Sequence, residues 1–199
     1  MQDSESIWLE RAQKGDGEAF AYLVEAYQRP VYNLCYRMLG DSGDAEDAAQ
    51  ETFFRAYRSI KRYDSSRPFP TWLLSIAAHY CIDQLRKRRM NTFSIDEHDY
   101  LEIPDDNPGP ETTLRRAAER ERVHALLTEL NPTDRAAVVM YYWYDFSYDE
   151  IGEALSLTLS AVKSRLHRAR RSMADEWIKQ QSQVITKERE YYGEQTPAF

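Results

Sequence analysis

Between Ser160 and Met173 the chain reads SAVKSRLHRARRSM, with one Lys, four Arg, one His and no acidic residue. Long cationic donors mixed with short hydroxyls suit nucleic acid. Lys and Arg reach base edges or phosphates, and small polar residues let a helix sit deep in the major groove. At about 100° per residue, Val162, Leu166, Ala169 and Met173 fall on one narrow arc. Roughly opposite them lie Ser160, Lys163, Ser164, His167 and Arg171, with Arg165, Arg168 and Arg170 on the flanks. A solvated helix usually carries both signs of charge, yet no acid occurs between Glu153 and Asp175. Taken alone, the segment fits either a groove-reading helix or a cationic solvated face.

The residues just before it supply a frame. Ser147-Tyr148-Asp149-Glu150 has the form of a capping box, Ser at the N-cap and Glu three positions on. The short helix it opens would turn Ile151 and Leu155 inward. Ser156-Leu157-Thr158 reads as a turn, with Thr158 able to cap the next helix. Two helices across so tight a turn make a helix-turn-helix, whose second helix enters the major groove.

The 199 residues allow one domain or two small ones, and a net charge of −7 argues against indiscriminate coating of nucleic acid. Apolar residues recur three or four apart from Ala19 to Met38 and from Ala45 to Ile60, as on buried helical stripes. KRYDSSRPFP, Lys61 to Pro70, reads as a loop, and a further helix is expected from about Thr71 to the Arg86-Lys87-Arg88-Arg89 cluster. Residues 91–113 hold seven acids, three prolines and no Lys or Arg, the composition of an extended linker. The expected fold is all-α. Two small helical domains, 1–90 and 114–178, are joined by a flexible acidic linker over 91–113, the second contains the helix-turn-helix, and a polar, frayed tail follows over 179–199. Cys35 and Cys81 stand far apart in sequence and are expected to stay reduced. No metal site, cofactor, signal peptide or membrane span is expected.

Three fragments in this order resemble the extracytoplasmic-function (ECF) sigma factors, which carry only sigma regions 2 and 4. They are AFAYLVEAYQRPVYNLCYRMLGDSGDAEDAAQETFFRAY, FPTWLLSIAAHYCIDQLRKRR and LNPTDRAAVVMYYWYDFSYDEIGEALSLTLSAVKSRLHRAR. The resemblance implies a promoter-specificity subunit without catalysis of its own, working in the cytoplasm with core RNA polymerase (β′ clamp helices and β flap) and promoter DNA. It also implies an anti-sigma factor as partner, which could hold the chain at a membrane without direct insertion. By position, Asp47, Gln50, Glu51, Phe54 and Arg55 would meet polymerase. Tyr63, Ser65, Ser66, Arg67 and Phe69 belong to the loop that captures a −10 base, and Arg86, Lys87, Arg88 and Arg89 to a basic helix end near melted DNA. Ser160, Lys163, Ser164, Arg165, His167, Arg168 and Arg171 would serve −35 recognition, Arg165 and Arg168 through phosphates. Trp72 is expected in the core. Under this resemblance the acidic linker would thread basic polymerase channels as a mimic of RNA.

Other classes account for less. A helix-turn-helix repressor leaves AEDAAQE and FPTWL without a task. A decoy that only sequesters an anti-sigma factor predicts eroded cations after Ser160. An enzyme would need a Gly-rich phosphate loop, a nucleophile–base pair or metal-spaced ligands, and the sequence offers none of them.

Overall fold

The computed structural model describes residues 2–91, 119 and 121–193. Among these the regular structure is helical: α1 (Gln2–Gln13), α2 (Gly17–Leu39), α3 (Ser42–Ser59), a 3-10 turn (Ile60–Arg62), α4 (Phe69–Asn91), α5 (121–128), α6 (Pro132–Tyr144), α7 (Tyr148–Leu155) and α8 (Leu159–Gly193). The acidic segment expected to be a linker lies outside the described residues, apart from its first residue, Asn91.

Local chemistry sets the helix ends. Asp16 caps α2 by accepting from the N–H groups of Glu18 (3.0 Å) and Ala19 (3.2 Å), and Asp41 caps α3 through Asp44 N–H at 2.8 Å. Asn131 caps α6 at 3.0 Å, with Pro132 in the first turn, where its missing N–H costs nothing. Gly40 ends α2 with φ +84°, and its N–H bonds Tyr36 O at 2.8 Å. A Cβ there would also collide with His124 Nε2. The position therefore demands glycine twice, for its backbone and for the imidazole lying on it.

Helix α2 is central. Leu23, Val31, Leu34 and Met38 form its buried stripe, and α1, α3, α4 and α6 all pack on it. Cys35 on α2 and Cys81 on α4, distant in sequence, are both buried and meet in this core. A hydrogen bond with Cys35, together with burial, pushes the Cys81 thiol up. The second half is built on Ile151, Val162, Leu166 and Ala169, all buried. The two halves touch, and one continuous apolar cluster runs through both.

Three expectations change. Helix α1 did not stand out in the sequence, yet Ala12 is buried and Trp8 and Leu9 pack against the core. The loop after α3 is shorter than Lys61–Pro70, because a 3-10 turn takes its start and α4 begins at Phe69. Residues 179–193, read as a frayed tail, continue α8, whose 35 residues make a rod of about 52 Å. Lys179, Gln180, Lys187 and Glu188 are good helix formers, so the polarity of this stretch was no sign of irregular backbone.

Candidate nucleic-acid interface

The helix-turn-helix is assembled largely from backbone-directed bonds. Glu150 N–H donates to Ser147 Oγ at 3.2 Å while Ser147 N–H donates to Glu150 Oε2 at 2.8 Å, closing the capping box. Ser156 takes a left-handed conformation (φ 56°), and the chain turns back so that Leu157 N–H bonds Gly152 O at 2.7 Å. A Cβ on Gly152 would sit 2.8 Å from the Leu157 carbonyl, so the tightness of the turn requires that glycine. Thr158 Oγ1 then accepts from Ala161 N–H at 3.2 Å and starts α8.

On α8 the apolar stripe is inward: Val162, Leu166 and Ala169 are buried and Met173 is half-buried. Ser160, Lys163, Ser164, His167, Arg168 and Arg171 are exposed. Arg168 Nη1 donates to Ser164 Oγ at 2.8 Å, which ties two members of that face together. Arg170 is held by the Tyr142 and Tyr148 hydroxyls, which raise its pKa further. Arg165 departs from expectation. Its Nη1 lies 2.6 Å from Oδ1 of Asp134 on α6, and Asp134 in turn accepts from Asn131 Nδ2 at 2.6 Å. Placed as a phosphate contact from the sequence, Arg165 is here a strut between α8 and α6.

The loop before α4 is also partly internal. Asp64 Oδ1 accepts from Ser66 N–H at 2.9 Å, and that bond holds its carboxyl below the usual range. Ser65, Ser66 and Arg67 are exposed. Tyr63 and Phe69, expected in the base-capturing loop, are buried: their rings meet Trp72 at 5.0 and 5.6 Å, and Tyr63 Oη donates to Arg67 O. The physical reason is the early start of α4, which turns Phe69 into the core; both rings form the floor beneath the loop. Trp72, half-buried in that cluster, behaves as core, as expected. At the far end of α4, Arg86, Lys87 and Arg89 are exposed, while Arg88 pairs with Asp44.

On α3, Asp47, Gln50, Phe54 and Arg55 are exposed and Glu51 is half-buried, all at spacings that share a face. Arg55 Nε meets Glu51 Oε1 at 2.7 Å, and its guanidinium lies 4.9 Å from the Tyr80 ring centre. Phe54 is 55% exposed with Arg58 over its ring at 5.5 Å, and Tyr57 is exposed beside it. Sequence reading missed Tyr57 and Arg58, although their i+3 and i+4 spacing from Phe54 was the available signal. Among the described residues no group of His, Cys, Asp and Glu could hold a metal ion, and no helix is long and apolar enough to cross a membrane.

The geometry thus offers an exposed cationic helix in a capped helix-turn-helix, a polar loop over an aromatic floor, and an acidic-aromatic face on α3. Two family models match the stretches that carry these features. "Sigma-70 region 2" matches residues 23–90 and "Sigma-70, region 4" matches residues 120–173. The chain is 36% identical over 172 residues to the ECF RNA polymerase sigma factor SigW of Bacillus subtilis (strain 168), covering 83% of this chain and 92% of that protein. The chain belongs to the ECF sigma-factor family. Its identity to the ECF RNA polymerase sigma factor SigE of Mycolicibacterium smegmatis is also 36%, over 81% of this chain and 63% of that one. In fold it resembles CnrH, solved in complex with the cytosolic domain of CnrY, at TM-score 0.67 and 24% identity, covering 89% of this chain and 99% of that chain.

Proposed function

We propose that the protein binds core RNA polymerase in the cytoplasm, directs it to promoters by reading −35 and −10 elements, and assists opening of the duplex. The observation that carries this reading is the exposed, acid-free face of α8, with Ser160, Lys163, Ser164 and His167 standing over a buried stripe. Lys163 and His167 would meet base edges, and Arg168 and Arg171 phosphates. Ser65, Ser66 and Arg67 would line the rim of the −10 site, where binding energy replaces the stacking of an extruded base. Arg86, Lys87 and Arg89 would hold the strand backbone, with Arg88 joining on release from Asp44.

Asp47, Gln50, Glu51, Phe54 and Arg55 on α3 would dock on the β′ clamp helices, and region 4 on the β flap. The acidic stretch within 91–113 would follow basic polymerase channels in place of RNA. An anti-sigma factor is a further partner of this reading; relatives of the same fold were solved with one, as with NepR bound to RpoE from Bartonella quintana. The deciding experiment is transcription in vitro with core polymerase on a random promoter library. Core plus this protein should select a defined promoter that core alone ignores, and Lys163→Ala should lose that selection while still binding core. Duplex binding without polymerase association would overturn the reading.

A further inference from the structure

Helix α8 begins unlike several of the helices before it. The first turns of α2, α3, α6 and α7 carry Glu18, Asp44, Asp134 and Asp149, acids that suit the partial positive charge of a helix N-terminus. The first turn of α8 has no acid, and its first residue, Leu159, is 41% exposed. Ile151, Val162 and Leu166, the other aliphatic side chains around it in the helix-turn-helix, are buried. A single exposed leucine is ordinary on most surfaces. This one stands at the end of the helix that would enter the major groove, where it neither fills the core nor complements the helix dipole. We propose that Leu159 reads the 5-methyl group of a thymine in the −35 element, and so sets part of the promoter sequence that this chain selects.

The inference rests on the promoter reading above. In a helix-turn-helix the N-terminal residues of the second helix meet the base edges, and Leu159 is the first of them. Cα–Cβ bonds tilt toward the helix N-terminus, so a side chain at this position leans toward the entering end. Of the groups that distinguish base pairs in the major groove, the thymine methyl is the apolar one; the rest donate or accept hydrogen bonds. A leucine has no hydrogen bond to give them. Its gain comes from removing apolar surface from water, and the methyl is the group on the base edges that offers it.

Lys163 fixes the register. It is exposed one turn on from Leu159, about 6 Å along the axis and about 40° around it. Base pairs rise about 3.4 Å each, so the thymine lies within about two base pairs of the base that Lys163 meets. The choice of leucine also has an electrostatic sense. An acid in its place would gain from the helix dipole and would repel the phosphates on either side of the groove. Leucine avoids that repulsion, in keeping with a stretch that has no acid between Glu153 and Asp175, and adds discrimination among bases that a cation at the groove edge does not supply.

The test uses the full chain bound to core polymerase, on a promoter drawn from a random library. Each thymine of the selected −35 element, on either strand, is replaced singly by deoxyuridine, which removes the methyl and keeps every hydrogen-bonding group. One such replacement should weaken promoter binding about threefold to fivefold, the worth of one apolar carbon taken from water. Leu159→Ala should weaken binding to the unmodified promoter by a similar factor and make the complex indifferent to that deoxyuridine. Leu159→Met, which keeps an apolar side chain of similar size, should retain the dependence on the methyl. A −35 element without a thymine, deoxyuridine promoters all bound like the parent, or a methyl dependence that survives Leu159→Ala overturns the assignment. So does a loss of affinity for core polymerase itself in Leu159→Ala, which would make the leucine a polymerase contact. In each of these cases the promoter reading stands as long as Lys163→Ala still loses selection. If the chain and core polymerase select no promoter at all, the promoter reading fails and takes the assignment of Leu159 with it.

Discussion

Asp134 holds Arg165 at 2.6 Å, with the carboxylate side chain 7% exposed and the guanidinium 29%. This cation of the basic stretch therefore braces α8 against α6 in place of reaching outward. Removing it would leave a largely buried carboxylate with the Asn131 side-chain amide as its remaining named partner. Arg165→Ala should cost about 2 kcal/mol of stability, by the usual loss for a hydrogen bond to a charged group. Lys163→Ala, at an exposed position, should leave stability within about 0.5 kcal/mol. Denaturant unfolding of both variants separates the two roles; equal losses would show that the two side chains do the same work.

DNA binding should divide the same way. A groove contact through Lys163 raises affinity for the cognate site about tenfold, and a phosphate contact through Arg171 adds about one unit to the salt slope. Lys163→Ala is expected to relax sequence preference, and Arg171→Ala to flatten the salt dependence while preserving preference. Titration of a selected promoter at several salt concentrations reads both. If Arg165→Ala flattened the slope as much as Arg171→Ala, Arg165 would leave Asp134 when DNA binds.

On α3, Phe54 is 55% exposed, a large apolar side chain in solvent. An exposed aromatic side chain of this size, with Arg58 over its ring, is the usual form of an interface anchor. Phe54→Ala should leave thermal stability unchanged and weaken binding to core polymerase tenfold or more. Binding to isolated promoter DNA should not move. A drop in melting temperature with no change in polymerase affinity would make Phe54 a packing residue.

Much of this arrangement could be read before any coordinates, for physical reasons that differ by element. The capping box at Ser147 and Glu150, the Thr158 cap and the inward stripe of α8 follow from local chemistry and helical period, and all appear as expected. Contacts that join distant parts of the chain have no such signature. Nothing near Arg165 in sequence points to Asp134, 31 positions away. Tyr63 and Phe69 carry the side chains of a base pocket, and only the packing of Trp72 against them makes them a floor. The pairing of Cys35 with Cys81 and the seam between the two halves were hidden for the same reason.

Gly40 is a point where one substitution should disturb both halves. An alanine there meets the left-handed backbone cost of about 1–2 kcal/mol, and its Cβ would collide with the His124 imidazole of α5. Gly40→Ala should therefore lower stability, read by urea unfolding, by more than the backbone term. Gly15, at φ +95° with open space within 4 Å of where a Cβ would stand, is the control: Gly15→Ala should show the backbone cost alone. Equal behaviour of the two variants would mean that His124 moves aside freely.

The Tyr144 hydroxyl of α6 donates to the Pro30 carbonyl of α2 at 2.6 Å, which gives the contact between the two halves a dependence on pH. Burial pushes its pKa above the ordinary value of 10, since the anion would lose hydration and could not donate to the Pro30 carbonyl. A raised folded-state value means that the folded form keeps its proton while the unfolded chain loses it. The stabilisation is therefore complete below about pH 10 and disappears as pH climbs from there through the folded value. Other tyrosines titrate in the same window, so the informative quantity is the stability of the parent minus that of Tyr144→Phe. That difference should favour the parent at pH 9 and shrink above pH 10, by at most about 1.4 kcal/mol per pH unit. Urea unfolding at pH 9 and pH 11 measures it. A difference that stays constant across those values would mean that the hydroxyl is solvated, and the bond to Pro30 would then contribute nothing to stability.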